Sequence, residues 1–226
     1  MQISENLTKA LSEIQQVEQA HHRPKGSVKL IAVSKTKPLS SVKEAAAAGQ
    51  VDFGENKVQE LVEKHEAFPD LHWHMIGSFQ RNKVKYIAPF IHLIHSVDSE
   101  RLLREIDKQA AKVDRKISCL LQVNISDEAQ KGGFTEAEVE AVLKNIDQFP
   151  FIQINGLMGM AEFTDDKGLI QSQFKRLRIA SEHFQALNGP QIELKELSMG
   201  MSGDFEIAIA EGATMVRIGS AIFGHR

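Results

Sequence analysis

The sequence predicts an α/β fold: a single (β/α)8 barrel of the TIM type with one extra helix at its N-terminus. Three observations carry that expectation. Short apolar runs alternate with helix-patterned segments from Val28 to the end of the chain, and eight strand-then-helix units can be counted. Such alternation argues for a parallel sheet with helical crossovers. The length of 226 residues suits eight units closed on themselves. Polar side chains also share one parity near the C-terminal ends of several strands, where a barrel gathers its functional groups. A doubly wound open sheet is the main rival. No linker, repeat or low-complexity tract interrupts the series, so residues 1–226 read as one domain.

The elements follow in order. Leucines and alanines at helical spacing predict an opening helix over about Ser4 to His21. The apolar run from Val28 to Ser34 is the first strand, and SSVKEAAAAG begins a helix near Ser40. VDFGE is a short second strand, followed by a helix from Asn56 to Glu66. LHWHMIG is the third strand, with a helix near Asn82 to Ala88. IHLIHSV precedes a helix over Ser99 to Val113, and ISCLLQVNI precedes one over Thr135 to Asp147. IQINGLMGM leads into a long helix from about Lys167 to Leu187. LKELSMG leads into Asp204 to Glu211, and TMVRIG leads into the closing turn.

Composition narrows the function classes. The chain is 42% hydrophobic and 25% charged, enough apolar material for a sizeable core. A net charge of −3 gives no electrostatic footprint for nucleic acid. The clusters Arg81-Lys83-Lys85 and Lys175-Arg176-Arg178 read as solvated helix faces. The single cysteine, Cys119, sits in an apolar stretch and reads as a core thiol in a reducing compartment. The N-terminal helix carries three glutamates and lacks the look of a signal or transit peptide. No apolar run approaches the roughly 20 residues that span a bilayer. A soluble, cytoplasmic, monomeric protein is expected.

Side-chain parity along the strands selects the candidate site. Ile31, Val33 and Lys35 share a face, which makes Lys35 the last inward position of the first strand. Lys37 has the same parity but precedes Pro38 and belongs to the loop. Met215 and Arg217 share a face of the last strand; His72, His74 and Ile76 share one in the third; Gln122 and Asn124 share one in the fifth. A lysine at such a mouth can form a Schiff base with an aldehyde. Gly219-Ser220 opens a short helix after the eighth strand, where barrels commonly hold phosphate, and Ser202-Gly203 offers a second donor set beside it. Arg217 can hydrogen-bond a ring nitrogen but cannot give up its proton. An aldehyde, a phosphate and a ring nitrogen on one small molecule describe pyridoxal 5′-phosphate (PLP).

Each feature has a plainer reading. Lys35 could be a snorkelling surface residue. Arg217 could form a buried ion pair with a strand-end carboxylate such as Glu55, and Ser202 could be an N-cap. His72 and His74 offer two imidazoles on one strand face, but spacing places no third ligand, so no metal site is expected. His74 is instead counted among the cofactor-facing residues. Met158, Met160, Met199 and Met201 are barrel packing or a soft wall against an aromatic ring. No GxSxG, Walker A, HExxH or GxGxxG motif is present.

The segments VSKTKP, FGENKVQE, HMIGSFQRNKVK, VNIS with KGGF, FKRLR, LSMGMSGDFEIAI and VRIGSAIFG occur in order over about Leu30 to Gly224. Together they resemble the pyridoxal phosphate homeostasis proteins. The resemblance implies a single barrel of the alanine-racemase type that binds PLP as an internal aldimine. It places the family lysine on Lys35 and the phosphate-binding serine of MGMS on Ser202. The arginine and glycine of VRIG fall on Arg217 and Gly219, with Ser220 a further phosphate contact. The GEN segment falls on Glu55 and Asn56, with Asn56 near the cofactor. Phe79, where leucine is expected, and Gly159-Met160-Ala161, where many members carry isoleucine-proline, are departures that leave cofactor binding intact.

Three functions compete at this level. A vitamin B6 homeostasis protein would hold PLP and supply it to apo PLP-dependent enzymes without amino-acid turnover. A racemase or decarboxylase would use the same barrel, but such enzymes add a C-terminal β domain and draw an acid/base tyrosine from it. This sequence ends after its eighth unit, and its one tyrosine, Tyr86, falls on a helix away from the mouth. A cofactor-free isomerase of a phosphorylated metabolite would leave Lys35 and Arg217 unexplained. The first reading is preferred, since a guanidinium facing the pyridine nitrogen weakens the ring as an electron sink.

Overall fold

A computed structural model describes residues 2–126 and 132–224. Eight parallel strands close into a barrel in sequence order: β1 (Lys29–Val33), β2 (Asp52–Glu55), β3 (His72–Met75), β4 (Leu93–Val97), β5 (Ile117–Gln122), β6 (Ile152–Met158), β7 (Ile192–Met201) and β8 (Met215–Ile218). β8 pairs with β1 in parallel, Ile31 opposite Arg217, and that closure rules out the open sheet. The helices are α1 (Ile3–Ala20), α2 (Leu39–Ala47), α3 (Val58–Ala67), α4 (Val84–Ile87), α5 (Glu100–Lys112), α6 (Glu136–Lys144), α7 (Lys167–Phe184), α8 (Phe205–Ala210) and α9 (Ser220–Phe223). Because α9 is a single turn, α1 packs against α2, α8 and α9 and covers the seam between first and last strands.

Inward and outward faces separate as parity requires. Ile31, Leu93, Leu120, Met158 and Met215 form a small apolar cluster of their own, the barrel interior. Outward residues such as Phe53, Trp73, Ile94, Cys119 and Val216 join the much larger layer between strands and helices. Apolar burial in that layer contributes about 25 cal/mol per Å² and is the main stabilising force. Cys119 lies there fully buried, and burial pushes its thiol up, as for a packing residue. Met158 faces the interior and Met199 the helix layer, while Met160 and Met201 are partly exposed, so the methionines do not form one wall.

Several boundaries differ from the sequence expectation. Lys35 lies past the end of β1, in a turn whose next residue, Thr36, has φ +63°. The expected helix at Asn82 is a 3-10 turn over Arg81–Lys83 followed by α4. Helix α8 begins at Phe205, and Asp204 accepts a hydrogen bond from the Met201 N–H at 2.5 Å, so Ser202 is not its N-cap. Asn124 lies beyond β5, where its side-chain Oδ1 accepts from the Ser126 N–H and hydroxyl. Lys131 of the KGGF segment lies outside the described residues.

Candidate cofactor site at the barrel mouth

The residues expected at the cofactor site, His74 apart, come from four neighbouring strands. Barrel closure puts β7, β8, β1 and β2 side by side, and Ser202, Arg217, Gly219, Ser220, Lys35 and Asn56 lie at or just past their C-terminal ends. Arg217 is the register partner of Ile31, and Lys35 lies four residues further along the same chain segment, in the turn that leaves β1. Its half-buried side chain makes no hydrogen bond or ion pair among the described residues, and the same holds for the Asn56 amide.

The turn that presents Lys35 is braced by α3. Ser34 Oγ donates to Glu55 Oε1 at 2.6 Å, and Lys64 Nζ donates to the same oxygen at 2.6 Å and to the Ser34 carbonyl at 2.8 Å. The Thr36 N–H donates to Glu60 Oε2 at 2.7 Å. Lys37 Nζ points elsewhere, to the Gly224 carbonyl at 3.0 Å. Glu55 is therefore committed to Lys64 in a buried ion pair and does not pair with Arg217. A left-handed threonine costs on the order of 1–2 kcal/mol, which these bonds offset.

Two glycines let backbone segments meet at the mouth. A Cβ on Gly219 would stand 3.1 Å from the Val33 carbonyl oxygen, and one on Gly77 would stand 2.7 Å from the Asn56 carbonyl oxygen. The Gly219 N–H also donates a long bond, 3.4 Å, to Ser202 Oγ, which brings the two turns of the expected phosphate site together. Ser220, the first residue of α9, is exposed beside them.

Arg217 is buried without a carboxylate partner. Its Nη1 donates to the Ser198 carbonyl at 2.8 Å and to Ser198 Oγ at 2.7 Å, and its Nη2 donates to the Gly159 carbonyl at 3.1 Å. A guanidinium has five N–H donors, so Nε–H and one Nη2–H are left without an acceptor among the described residues. Burial pushes the guanidinium down to about 10, with Asp204 partly offsetting it, so it stays charged at neutral pH.

Ser198 also begins a polar chain through the barrel that sequence reasoning missed. His95 Nδ1 lies 2.8 Å from Ser198 Oγ, His95 Nε2 lies 2.9 Å from His74 Nδ1, and His74 Nε2 lies 3.0 Å from Asp52 Oδ1. Burial pushes both His74 and His95 down, the second further because His74 and Arg217 add to the effect, so both rings are neutral. Burial pushes the Asp52 carboxyl up, but contacts with His74, Lys29 and His72 outweigh it and hold it below the usual range. An ionised Asp52 fixes every proton: His74 carries its proton on Nε2, His95 carries its own on Nε2, and the Ser198 hydroxyl donates to His95 while accepting from Arg217. All donors then point from the cation towards the carboxylate. His74 is thus two groups removed from Arg217, with both nitrogens occupied. The only sequence signal for this chain was a polar residue at the inward parity of otherwise apolar strands.

A separate cavity of about 700 Å³, lined by Phe79, Arg81, Asp98, Arg101 and Glu105 among others, lies between the loop after β3 and α5. It contains none of the mouth residues above. Tyr86 is half-exposed on α4, with Lys83 and Lys85 over its ring. Among the described residues no helix is long and apolar enough to cross a membrane.

With this geometry in hand, comparison with known proteins is informative. A family model described as alanine racemase, N-terminal domain, matches residues 6–226. The chain is 41% identical to a protein from Pseudomonas aeruginosa named pyridoxal phosphate homeostasis protein, over 99% of this chain and 96% of that one. It is 37% identical to a protein of the same name from Escherichia coli, over 99% and 97%. Among solved structures it is similar to PipY of Synechococcus elongatus with PLP bound: TM-score 0.84, 39% identity, 99% of this chain and 100% of that one. Alanine racemase from Bacillus anthracis, 16% identical with TM-score 0.73, covers 97% of this chain with 56% of its own length and shows the shared barrel alone.

Proposed function

The chain belongs to the family of pyridoxal phosphate homeostasis proteins, built on the barrel of the alanine racemase N-terminal domain, and we propose that it holds and supplies PLP without turning over amino acids. The observation that carries this reading is Arg217: a buried cation with no carboxylate in hydrogen-bond contact and two N–H groups without an acceptor among the described residues, at the same end of the barrel as a lysine with no hydrogen bond or ion pair there. A cation taken out of water needs compensation, and a ligand that brings acceptors to the mouth supplies it. When bound, PLP brings an aldehyde that an amine can hold reversibly, a ring nitrogen and a phosphate dianion.

The chain's residues divide the task. Lys35 is the amine, and the brace from Glu55, Glu60 and Lys64 sets its direction. Ser202, Gly219 and Ser220 offer hydroxyl and backbone N–H donors to the phosphate. Arg217 donates to the ring nitrogen and, since it keeps its own proton, leaves that nitrogen unprotonated. The ring is then a poor electron sink, which suits a carrier better than a broad catalyst. Asn56, the residue after β2, offers a further polar contact. His74 acts through His95 and Ser198 on Arg217 rather than on the cofactor. We take the carrier to work as a monomer in the cytoplasm, with apo PLP-dependent enzymes as recipients.

Two incubations test the proposal. The PLP-loaded protein is mixed with common amino acids of both hands, and racemised, decarboxylated or deaminated products are sought. It is then mixed with an apo PLP enzyme whose recovered activity is followed. Recovery without multiple turnovers in the first incubation is expected; sustained turnover would make this protein an enzyme.

A further inference from the structure

At the opposite end of the barrel from Lys35, β2, β3 and β4 bring four potential metal ligands together. Asp52 opens β2, and its register partner across the sheet is His72, which opens β3. His74 follows on the same face, and His92 directly precedes β4, its N–H bonded to the Trp73 carbonyl at 3.0 Å. One ligand atom from each of Asp52, His74 and His92 lies within 4.8 Å of the others. Asp52 Oδ1 is 3.0 Å from His74 Nε2 and 3.2 Å from His72 Nδ1. The His72 and His92 rings stack at 4.2 Å between centroids, and His74 and His92 stand 5.1 Å apart.

We propose that Asp52, His74 and His92 form the core of a binding site for a divalent late transition ion, with Zn²⁺ its natural occupant and the exposed His72, stacked on His92 without the ion, turning in as a fourth ligand. Zinc holds nitrogen and oxygen ligands at 2.0–2.2 Å, so neighbouring ligands of a tetrahedral site are about 3.3–3.5 Å apart. The two Asp52 contacts are already close to that edge length. His92 and His72 are both exposed, so their stacked rings are free to part and adjust to the remaining corners. Three imidazoles and one carboxylate favour zinc, copper or nickel over magnesium or calcium. An outer partner for the buried ligand is in place once the chain reverses: with an ion on Nε2, His74 carries its proton on Nδ1 and donates it to His95 Nε2, while His95 moves its own proton to Nδ1 and donates to Ser198 Oγ. Lys29, which opens β1 at this end, is the one cation acting on the cluster; its side chain is exposed and able to turn away.

Spacing in the sequence offered only His72 and His74. The carboxylate and the third imidazole come from neighbouring strands, which only the closed sheet brings into range. The site shares no ligand with the cofactor mouth.

The test uses the full chain, dialysed against a chelator and then titrated with Zn²⁺ by calorimetry. One equivalent is expected to bind, and His92→Ala and His72→Ala, both at exposed positions, are each expected to weaken binding at least about tenfold. Histidine-selective NMR on the unmutated protein is expected to show the His74, His72 and His92 ring signals shifting together on addition of Zn²⁺. Lys35→Ala is expected to bind Zn²⁺ as the parent does, which keeps the outcome separate from the cofactor reading. Absence of a stoichiometric site, or Zn²⁺ binding that leaves those three ring signals unmoved, overturns the proposal.

Discussion

Replacing Arg217 by methionine separates a ligand-binding role from a structural one. The side chains are similar in length, so the change removes the charge with little loss of volume. Burial pushes the guanidinium down to about 10, and at 1.36 kcal/mol per pH unit the charged form carries a cost of about 3 kcal/mol. Against that gain stand the acceptors left behind. The Ser198 carbonyl keeps the Gly159 N–H at 3.1 Å, so Ser198 Oγ and the Gly159 carbonyl are the groups left short. Each stranded buried acceptor costs about 1–3 kcal/mol, or about 2–6 kcal/mol for the two. Without PLP, Arg217→Met is therefore expected to lie between about 1 kcal/mol more stable and about 3 kcal/mol less stable than the parent. With PLP the balance moves further towards the parent. At a concentration 100 times its Kd, PLP stabilises the parent by about 2.7 kcal/mol, and the variant gains much less. Urea unfolding curves with and without PLP measure all four states. A variant destabilised by more than about 3 kcal/mol without PLP would make Arg217 a structural residue. Equal stabilisation of both proteins by PLP would remove it from the cofactor.

Two further outcomes are expected. Ser202→Ala removes a hydroxyl from the proposed phosphate contacts and should weaken PLP by about 1.5–3 kcal/mol while leaving pyridoxal binding unchanged; titrations with both ligands check this, and equal losses would move the phosphate elsewhere. Stability, measured with a chelator present, should fall as pH drops below 6.5, because the unfolded chain then takes protons that His74 and His95, held down by burial, refuse in the folded state. His95→Asn should flatten that slope, and an unchanged slope would mean the fall arises at other groups.

Much of the barrel was legible because strand parity is a strong signal. Ile31, Leu120 and Met215 point inward where alternation puts them, and Cys119 and Val216 point outward. Lys35 and Arg217 were legible for the same reason, Ser202, Gly219 and Ser220 from turns that follow strand ends, and Asn56 only from the family resemblance. What parity did not give was partnership. Glu55 looked available to Arg217, but Lys64, one turn into α3, reaches back and takes it. His74 looked like a rim residue, but strand β3 is only four residues long, and its imidazole lies in the interior between Asp52 and His95. Asp52, His95 and Ser198 lie on three separate strands, and only closure of the sheet makes them one chain. Ser202 is not the cap because the helix starts at Phe205 with Asp204 as its first flanking residue, and the Asp204 carboxylate closes the turn backwards by accepting from the Met201 N–H.

The central claim is that Lys35 is the covalent anchor of PLP. The most direct measurement is reduction of the PLP-loaded protein with borohydride, followed by digestion and mass spectrometry. A phosphopyridoxyl group on Lys35, and loss of the yellow lysine-bound form in Lys35→Ala, is the expected result. The modification on Lys37, whose Nζ bonds the Gly224 carbonyl in the present geometry, with none on Lys35, would contradict it.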